Sequence, residues 1–340
     1  MAPNINVTMT KSLSSSHVVL KEATTNEAIV EKPGKYKCFL GEFETPLIWS
    51  NIIMLFILHV VSVWAIWQHE WGTHIAIVIY ATIFGIIGGF GVTAGAHRLW
   101  THRSYKATTP LRVLLLILYS TTGQNSLKDW VRDHRVHHKF SETDADPHNS
   151  KRGFFFAHVG WLCMKKHPEV TRKGMTVDIS DIFEDPLVTF QSKHWAWFGT
   201  LWCFIIPTII PPLWWGESWK NSILAVCFVR YVILLNNTWL VNSAAHLWGN
   251  RPYEKELQPV ENNIISFLAN GEGFHNYHHK FPYDYRASEF GKYNVTTFWI
   301  DIFKKLGLAY DLRTVPQDVV KQVVEAHGDG THPLWGKKDN

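Results

Sequence analysis

Charge is scarce in this chain: Asp, Glu, Lys and Arg make up 18% of 340 residues, against about 25% in an ordinary soluble domain. With 46% hydrophobic and 14% aromatic residues, 17 of them Trp, the shortage excludes a disordered chain. Cysteine is scarce too. The four present (Cys38, Cys163, Cys203 and Cys227) form no C-x-x-C pair, which argues against a disulfide framework or a thiolate metal site. The net charge is only +4, and no stretch interleaves clustered Lys and Arg with aromatics, so no nucleic-acid partner is indicated. A mean hydropathy of −0.07 excludes a protein that lies wholly in the bilayer. Apolar segments must alternate with substantial polar ones.

The apolar segments are four. Residues 46–67 and 75–96 contain no Asp, Glu, Lys or Arg, and each is long enough at about 1.5 Å per residue to cross about 30 Å of hydrocarbon. Residues 194–216 form a third charge-free run, kinked or ended by Pro207, Pro211 and Pro212. Residues 221–248 form a fourth, which carries Arg230. A central arginine costs about 2.5–3.5 kcal/mol, so it is expected to snorkel or pair. Lys and Arg number none in residues 68–74, one in 217–220 and fifteen in 97–193; the last region is therefore placed in the cytosol, and with an even number of spans both termini join it.

This partition predicts an all-α integral membrane protein with four transmembrane helices and a cytosolic helical cap. Residues 1–45 are read as a disordered cytosolic tail without a cleavable signal peptide, 46–96 and 194–249 as transmembrane hairpins, and 97–193 and 250–340 as cytosolic regions. Leu111 to Tyr119 and Gly153 to Cys163 are too short to span and are read as interfacial or buried helices.

Histidine is abundant, with 19 residues, and its placement is informative. Three boxes fall on the cytosolic side: His97 with His102; His134, His137 and His138; and His275, His278 and His279. Residues three and four apart share a helix face, so the second and third boxes each fan imidazoles over one surface and one helix can feed two metals. His97 and His102 are five apart, about 140° round a regular helix, so they converge only if the second span ends or unwinds between them. Asn242 and His246 lie one turn apart near the end of the fourth span and face the same way. His17, His59, His69, His74, His194, His327 and His332 are read as interfacial, surface or packed residues.

Imidazole suits Zn, Cu, Fe and Ni, but a zinc site takes four ligands, and eight or nine histidines exceed that. Two six-coordinate irons use them all. The soluble di-iron bundles rely on paired Glu-x-x-His motifs; Glu272 to His275 makes one match and no second accompanies it. A histidine-rich membrane di-iron site fits better.

The stretches GVTAGAHRLWTH, WVRDHRVHHKFSETDADPHNSKRGFFFAHVGW, WLVNSAAHLWG and GEGFHNYHHKFPYDYR resemble those of the membrane acyl-CoA desaturases, the stearoyl-CoA desaturase-like group and its insect branch, over roughly residues 45–315. The resemblance implies four spans in the endoplasmic reticulum membrane, two iron ions, and O2-dependent insertion of a cis double bond into a CoA-linked fatty acyl chain, by default Δ9 on C16–C18, with other positions such as Δ11 open. It implies metal ligands at His97, His102, His134, His137, His138, His246, His275, His278 and His279, with Asn242 reaching a metal through water. It also implies CoA contacts at Asn51, Asn125, Arg132, Asp133, Lys165, Lys166 and Trp239. Phosphates need cations, and the basic residues of that set lie in the cytosolic region. Lys165 stands where some relatives carry Arg, which puts a bidentate grip there in doubt.

Gly85, Gly88, Gly89 and Gly91 lie where the resemblance puts the far end of an acyl tunnel; they either leave room for a tail or permit close helix packing. The chain lacks a fused His-Pro-Gly-Gly haem segment, so the resemblance implies electrons from cytochrome b5, reduced by NADH through its reductase. Two rival readings remain: a related membrane hydroxylase or oxidase, and a metal transporter. The transporter predicts ionisable residues lining a path within the spans, yet the boxes lie outside the spans and Arg230 is the one Asp, Glu, Lys or Arg within them.

Overall fold

The computed structural model describes residues 36–38, 41–68, 74–291 and 294–336. Its frame is a set of four long apolar helices: α1 (Trp49–Gln68), α2 (Ile75–Thr101), then, after a long polar region, α5 (Trp195–Trp215) and α6 (Trp219–Leu247), each with the length and composition to cross a membrane. Between α2 and α5 lie α3 (Thr109–Ser120) and α4 (Leu127–Phe140). After α6 come α7 (His275–Lys280), α8 (Val295–Lys305) and α9 (Gln317–His327). The chain is thus a multi-pass helical membrane protein.

Side chains such as Phe56 and Val63 on α1 are exposed, as expected where the surrounding solvent is lipid. The expected tail of 1–45 lies outside the described residues up to 35. From Tyr36 the chain departs from that expectation: β1 (Tyr36–Cys38) and β2 (Gly41–Phe43) pair antiparallel, and Leu47 bridges to Met164. The run from Gly153 to Cys163 breaks into two short helical turns, Phe154–His158 and Gly160–Leu162.

Three of the four spans are locally widened. α2 over Gly91–Thr101, α5 over Leu201–Ile205 and α6 over Ile223–Arg230 adopt π-helical geometry, in which each amide reaches five residues back. Arg230 uses two of these stretches. It neither snorkels nor pairs with a carboxylate among the described residues; its guanidinium donates to the carbonyls of Val226 (3.0 Å), Thr121 (2.9 Å) and Cys203 (2.7 Å). Val226 and Cys203 lie within π-helical turns.

The cap is clamped onto α2. Leu111, Leu115, Leu116 and Tyr119 of α3 and Leu127 and Val131 of α4 form one core with Val92, Ala96 and Leu99. The approach of α3 requires Gly91, since a Cβ there would lie 2.2 Å from the Tyr119 amide nitrogen. A two-stranded pairing of β3 (Lys106–Ala107) with β4 (Ala309–Tyr310) ties the segment after α8 to the one after α2. A second core of Tyr253, Tyr277, Phe281, Val315, Val320 and Val324 packs α9 against the third histidine box.

Candidate metal centre

The three boxes and His246 meet in two adjoining groups. The first comprises His97, His102, His134, His138 and His278; the second comprises His137, His246, His275 and His279; in each, the ligand nitrogens lie within 4.8 Å of one another. α4 and α7 each contribute to both groups, because positions three and four apart on a short helix point to either side of one face. The Nε2 atoms of His97 and His278 are 2.9 Å apart, and those of His278 and His138 are 3.1 Å apart. In the second group His275 Nε2 lies 3.1 Å from both His246 Nε2 and His279 Nε2. Two imidazoles at about 2.1 Å from one centre and at right angles have nitrogens roughly 3 Å apart, so this spacing fits ligands around a shared ion.

His97 and His102 converge because the second span unwinds between them rather than ending. α2 continues as a π helix, and the His102 amide donates to the His97 carbonyl five residues back at 3.1 Å. The wider turn brings residues five apart to one side, and the two rings sit 4.8 Å apart.

Carboxylates orient the rings. His137 Nδ1 donates to Asp146 (2.9 Å), His246 Nδ1 to Glu142 (2.7 Å), and His97 Nδ1 faces Glu272 at 3.0 Å. Each such contact fixes the tautomer and leaves Nε2 with its lone pair directed inward. Glu142 and Asp146 escaped the sequence reading, since they lie in a loop with no helical spacing to link them to the boxes. Glu272, noticed only as an isolated Glu-x-x-His match, belongs to neither ligand group; while one oxygen faces His97, the other accepts from the fully buried Arg98 at 2.8 and 3.0 Å.

The electrostatics favour neutral, ligating imidazole. Burial, with neighbouring histidines adding to it at both and Arg135 and Arg98 at the first, pushes His102 and His134 well below their usual value of 6.5. The same holds, by burial and adjacent histidines, for His138, His275, His278 and His279. For Glu272 burial acts against ionisation, but Arg98 and His97 outweigh it and push the carboxyl down to about 2. The Nε2 atoms of His102 and His134 are buried with no hydrogen-bond partner, a cost that a bound metal removes. The donor set, all imidazole, suits iron and its neighbours in the first transition row. A third cluster of His137, Asp146 and His148 reuses the orienting contact of His137 and adds one unclaimed residue, His148.

Two cavities meet at this centre. One, of about 400 Å³, is mostly apolar and runs from Ile66, Val78 and Ala225 past Gly85 and Gly89 to His97, Trp130, His134 and His275. The other, of about 230 Å³ and more polar, is lined by Asn51, Asn125, Asp133, His148 and Trp239. Trp130, His134, Thr238 and Asn242 border both, and Gln124 donates to Thr238 at 2.9 Å there. Arg132 and Lys166 flank the polar cavity through ion pairs with Asp133. Lys165 is exposed and lines neither cavity.

The glycine run divides between its two readings. Gly85 and Gly89 line the apolar cavity. Gly88 and Gly91 face the other way, where a Cβ would lie 2.8 Å from Thr121 Oγ1 and 2.2 Å from the Tyr119 nitrogen respectively. His59 and His332 are packed residues, bonded to the Leu55 carbonyl and to Glu289; His74, His194 and His327 belong to neither ligand group. His17 and His69 lie outside the described residues.

Comparison with known proteins matches this arrangement. A sequence profile of the fatty acid desaturase family covers residues 73–289. The chain is similar to an acyl-CoA Delta-9 desaturase of Acheta domesticus, with 46% identity over 100% of this chain and 95% of the relative. It is 46% identical to an acyl-CoA Delta(11) desaturase of Spodoptera littoralis over 94% of this chain and 92% of that one. A stearoyl-CoA desaturase of Homo sapiens is 48% identical over 84% and 79%.

Proposed function

The chain belongs to the fatty acid desaturase family, and from that premise we propose that it is an acyl-CoA desaturase whose two histidine groups hold two iron ions. The observation that carries this reading is the meeting of a polar and an apolar cavity at Trp130, His134, Thr238 and Asn242, directly beside both groups. A CoA-linked fatty acid is polar at one end and apolar at the other. Its head fits the polar cavity, its tail the apolar one, and the carbons between lie against the imidazoles.

Two irons held by His97, His102, His134, His138 and His278 and by His137, His246, His275 and His279, with Asn242 within reach through water, would supply oxidation by O2 of an unactivated methylene, chemistry beyond any side chain. The protein's part is placement. Arg132, Lys165 and Lys166 attract the CoA phosphates, Asn51, Asn125, Asp133 and Trp239 line the path of the thioester arm, and the apolar walls keep water from the reacting carbons. The count of carbons between the polar anchor and the histidines selects the bond that is oxidised. Δ9 action on C16–C18 chains is the default and Δ11 the alternative.

Electrons come from cytochrome b5, reduced by NADH through its reductase. The enzyme is placed in the endoplasmic reticulum membrane with residues 97–193, 250–340 and both termini in the cytosol, supported by the distribution of Lys and Arg. Expression in a yeast lacking its own desaturase, with double bonds located in total fatty acids by mass spectrometry, tests the reading. New monounsaturated chains that vanish in His137→Ala are expected. Hydroxylated products in place of alkenes would shift the assignment to the related oxidases.

A further inference from the structure

The stretch from Asn250 to Asn262 contributes no ligand, yet it is stitched to two of the three segments that supply the second histidine group. The Val260 amide donates to the carbonyl of Ala245, the residue before His246, at 2.7 Å, and the Val260 carbonyl accepts from the His275 amide at 3.2 Å. Glu261 bridges to Asn250 on one side and Phe274 on the other. One side chain holds the stretch in shape. Asn276, fully buried between His275 and Tyr277, accepts at Oδ1 from the amides of Tyr253 (2.9 Å) and Glu254 (3.0 Å). Its Nδ2 donates to the carbonyls of Glu254 (3.0 Å) and Pro259 (2.9 Å). Both donors and both acceptor sites of the amide are thus spent on one length of backbone.

We propose that Asn276 is a positioning residue for the second histidine group: by clamping residues 253–259 it fixes the separation of His246 and His275, whose Nε2 atoms lie 3.1 Å apart. Of the second group's histidines, only His137 comes from outside the clamped segments; of the first group's, only His278 comes from within them. Loss of the clamp therefore falls on three of the four histidines of the second group and one of the five of the first, and acts chiefly on the second metal position. The inference rests on the reading above that both groups hold iron.

Iron per chain, measured by elemental mass spectrometry on the full-length protein in lipid-containing detergent, tests it without reference to turnover. Wild type is expected to hold two irons and Asn276→Ala one. The remaining iron should be lost on adding His134→Ala and kept on adding His279→Ala. Glu261→Ala removes a contact to the Tyr277 amide (2.9 Å) from a partly exposed position. It should raise the iron concentration for half-loading of the second group about 10–100-fold with little change in the melting temperature of the iron-free protein. If Asn276→Ala does not fold, Glu261→Ala decides alone: selective weakening supports the role, and unchanged loading overturns it. Two irons retained in Asn276→Ala, or both lost together, also overturn it. A wild-type chain that never takes a second iron removes the two-iron reading itself, and the positioning role with it.

Discussion

The histidine centre and the apolar cavity share a wall but are built by opposite means. At the centre, orientation is imposed by added groups: Asp146 on His137, Glu142 on His246, Glu272 on His97, and Arg98 on Glu272. In the cavity, shape comes from groups that are missing: Gly85 leaves space along α2, and the bare Gly89 beside it lets Asn270 approach. A carboxylate removed from the centre disorders a ligand; a side chain added to the cavity only shortens it. Chemistry and chain selection are thus separable in this fold, and substitutions on one side of the wall should leave the other side's readout in place.

The largest effect that would sharpen this contrast belongs to the orienting carboxylates. Asp146→Asn and Glu142→Gln are expected to weaken metal binding about 10–100-fold, seen as lost iron on dialysis, with the chain-length profile of any residual product unchanged; an altered profile would break the separation. Next comes Gly91→Ala, which drives a methyl into the Tyr119 backbone. Overpacking of this kind costs about 1–3 kcal/mol, and the loss should appear as a lower melting temperature, whereas Gly85→Ala meets only Arg230 Cγ at 3.6 Å and should leave it unchanged.

Gly85→Leu should then shorten the usable cavity and lower the ratio of C18 to C16 product about tenfold, with iron content intact. A separate effect is that of pH. Six of the buried box histidines lie below their unfolded value of 6.5, so the unfolded chain binds more protons there. Stability is fully present above about pH 6.5 and falls as the pH drops below it. Thermal melts of the iron-free protein between pH 8 and pH 5 check the sign, and a chain that gains stability on acidification would contradict it.

Much of this was legible before any coordinates. Span positions follow from charge-free runs long enough to cross a bilayer, and helical spacing alone assigns His134, His137 and His138 to one surface. Contacts between distant segments leave no such periodic trace. Asp146 finds His137 through a loop, and Asn276 sits inside a histidine box with nothing local to mark its four backbone partners. That the second span must end or unwind between His97 and His102 is legible in their spacing, but which of the two occurs is seen only in the fold, where it widens into a π helix with α3 packed against Gly91 and Gly95. The two glycine readings could not be separated for a similar reason, since which neighbour a bare Cα faces is decided by the register of the whole bundle.

Arg230 carries a consequence for biogenesis. A cation in the last span is a hazard at the moment that span leaves the insertion machinery, and only carbonyls already delivered to the membrane can receive it. Thr121 and Cys203 precede it in the chain, and Val226 lies one turn before it in the same helix. Synthesis order therefore has every acceptor made before the charge arrives, so that α6 docks into a receptor built by its predecessors.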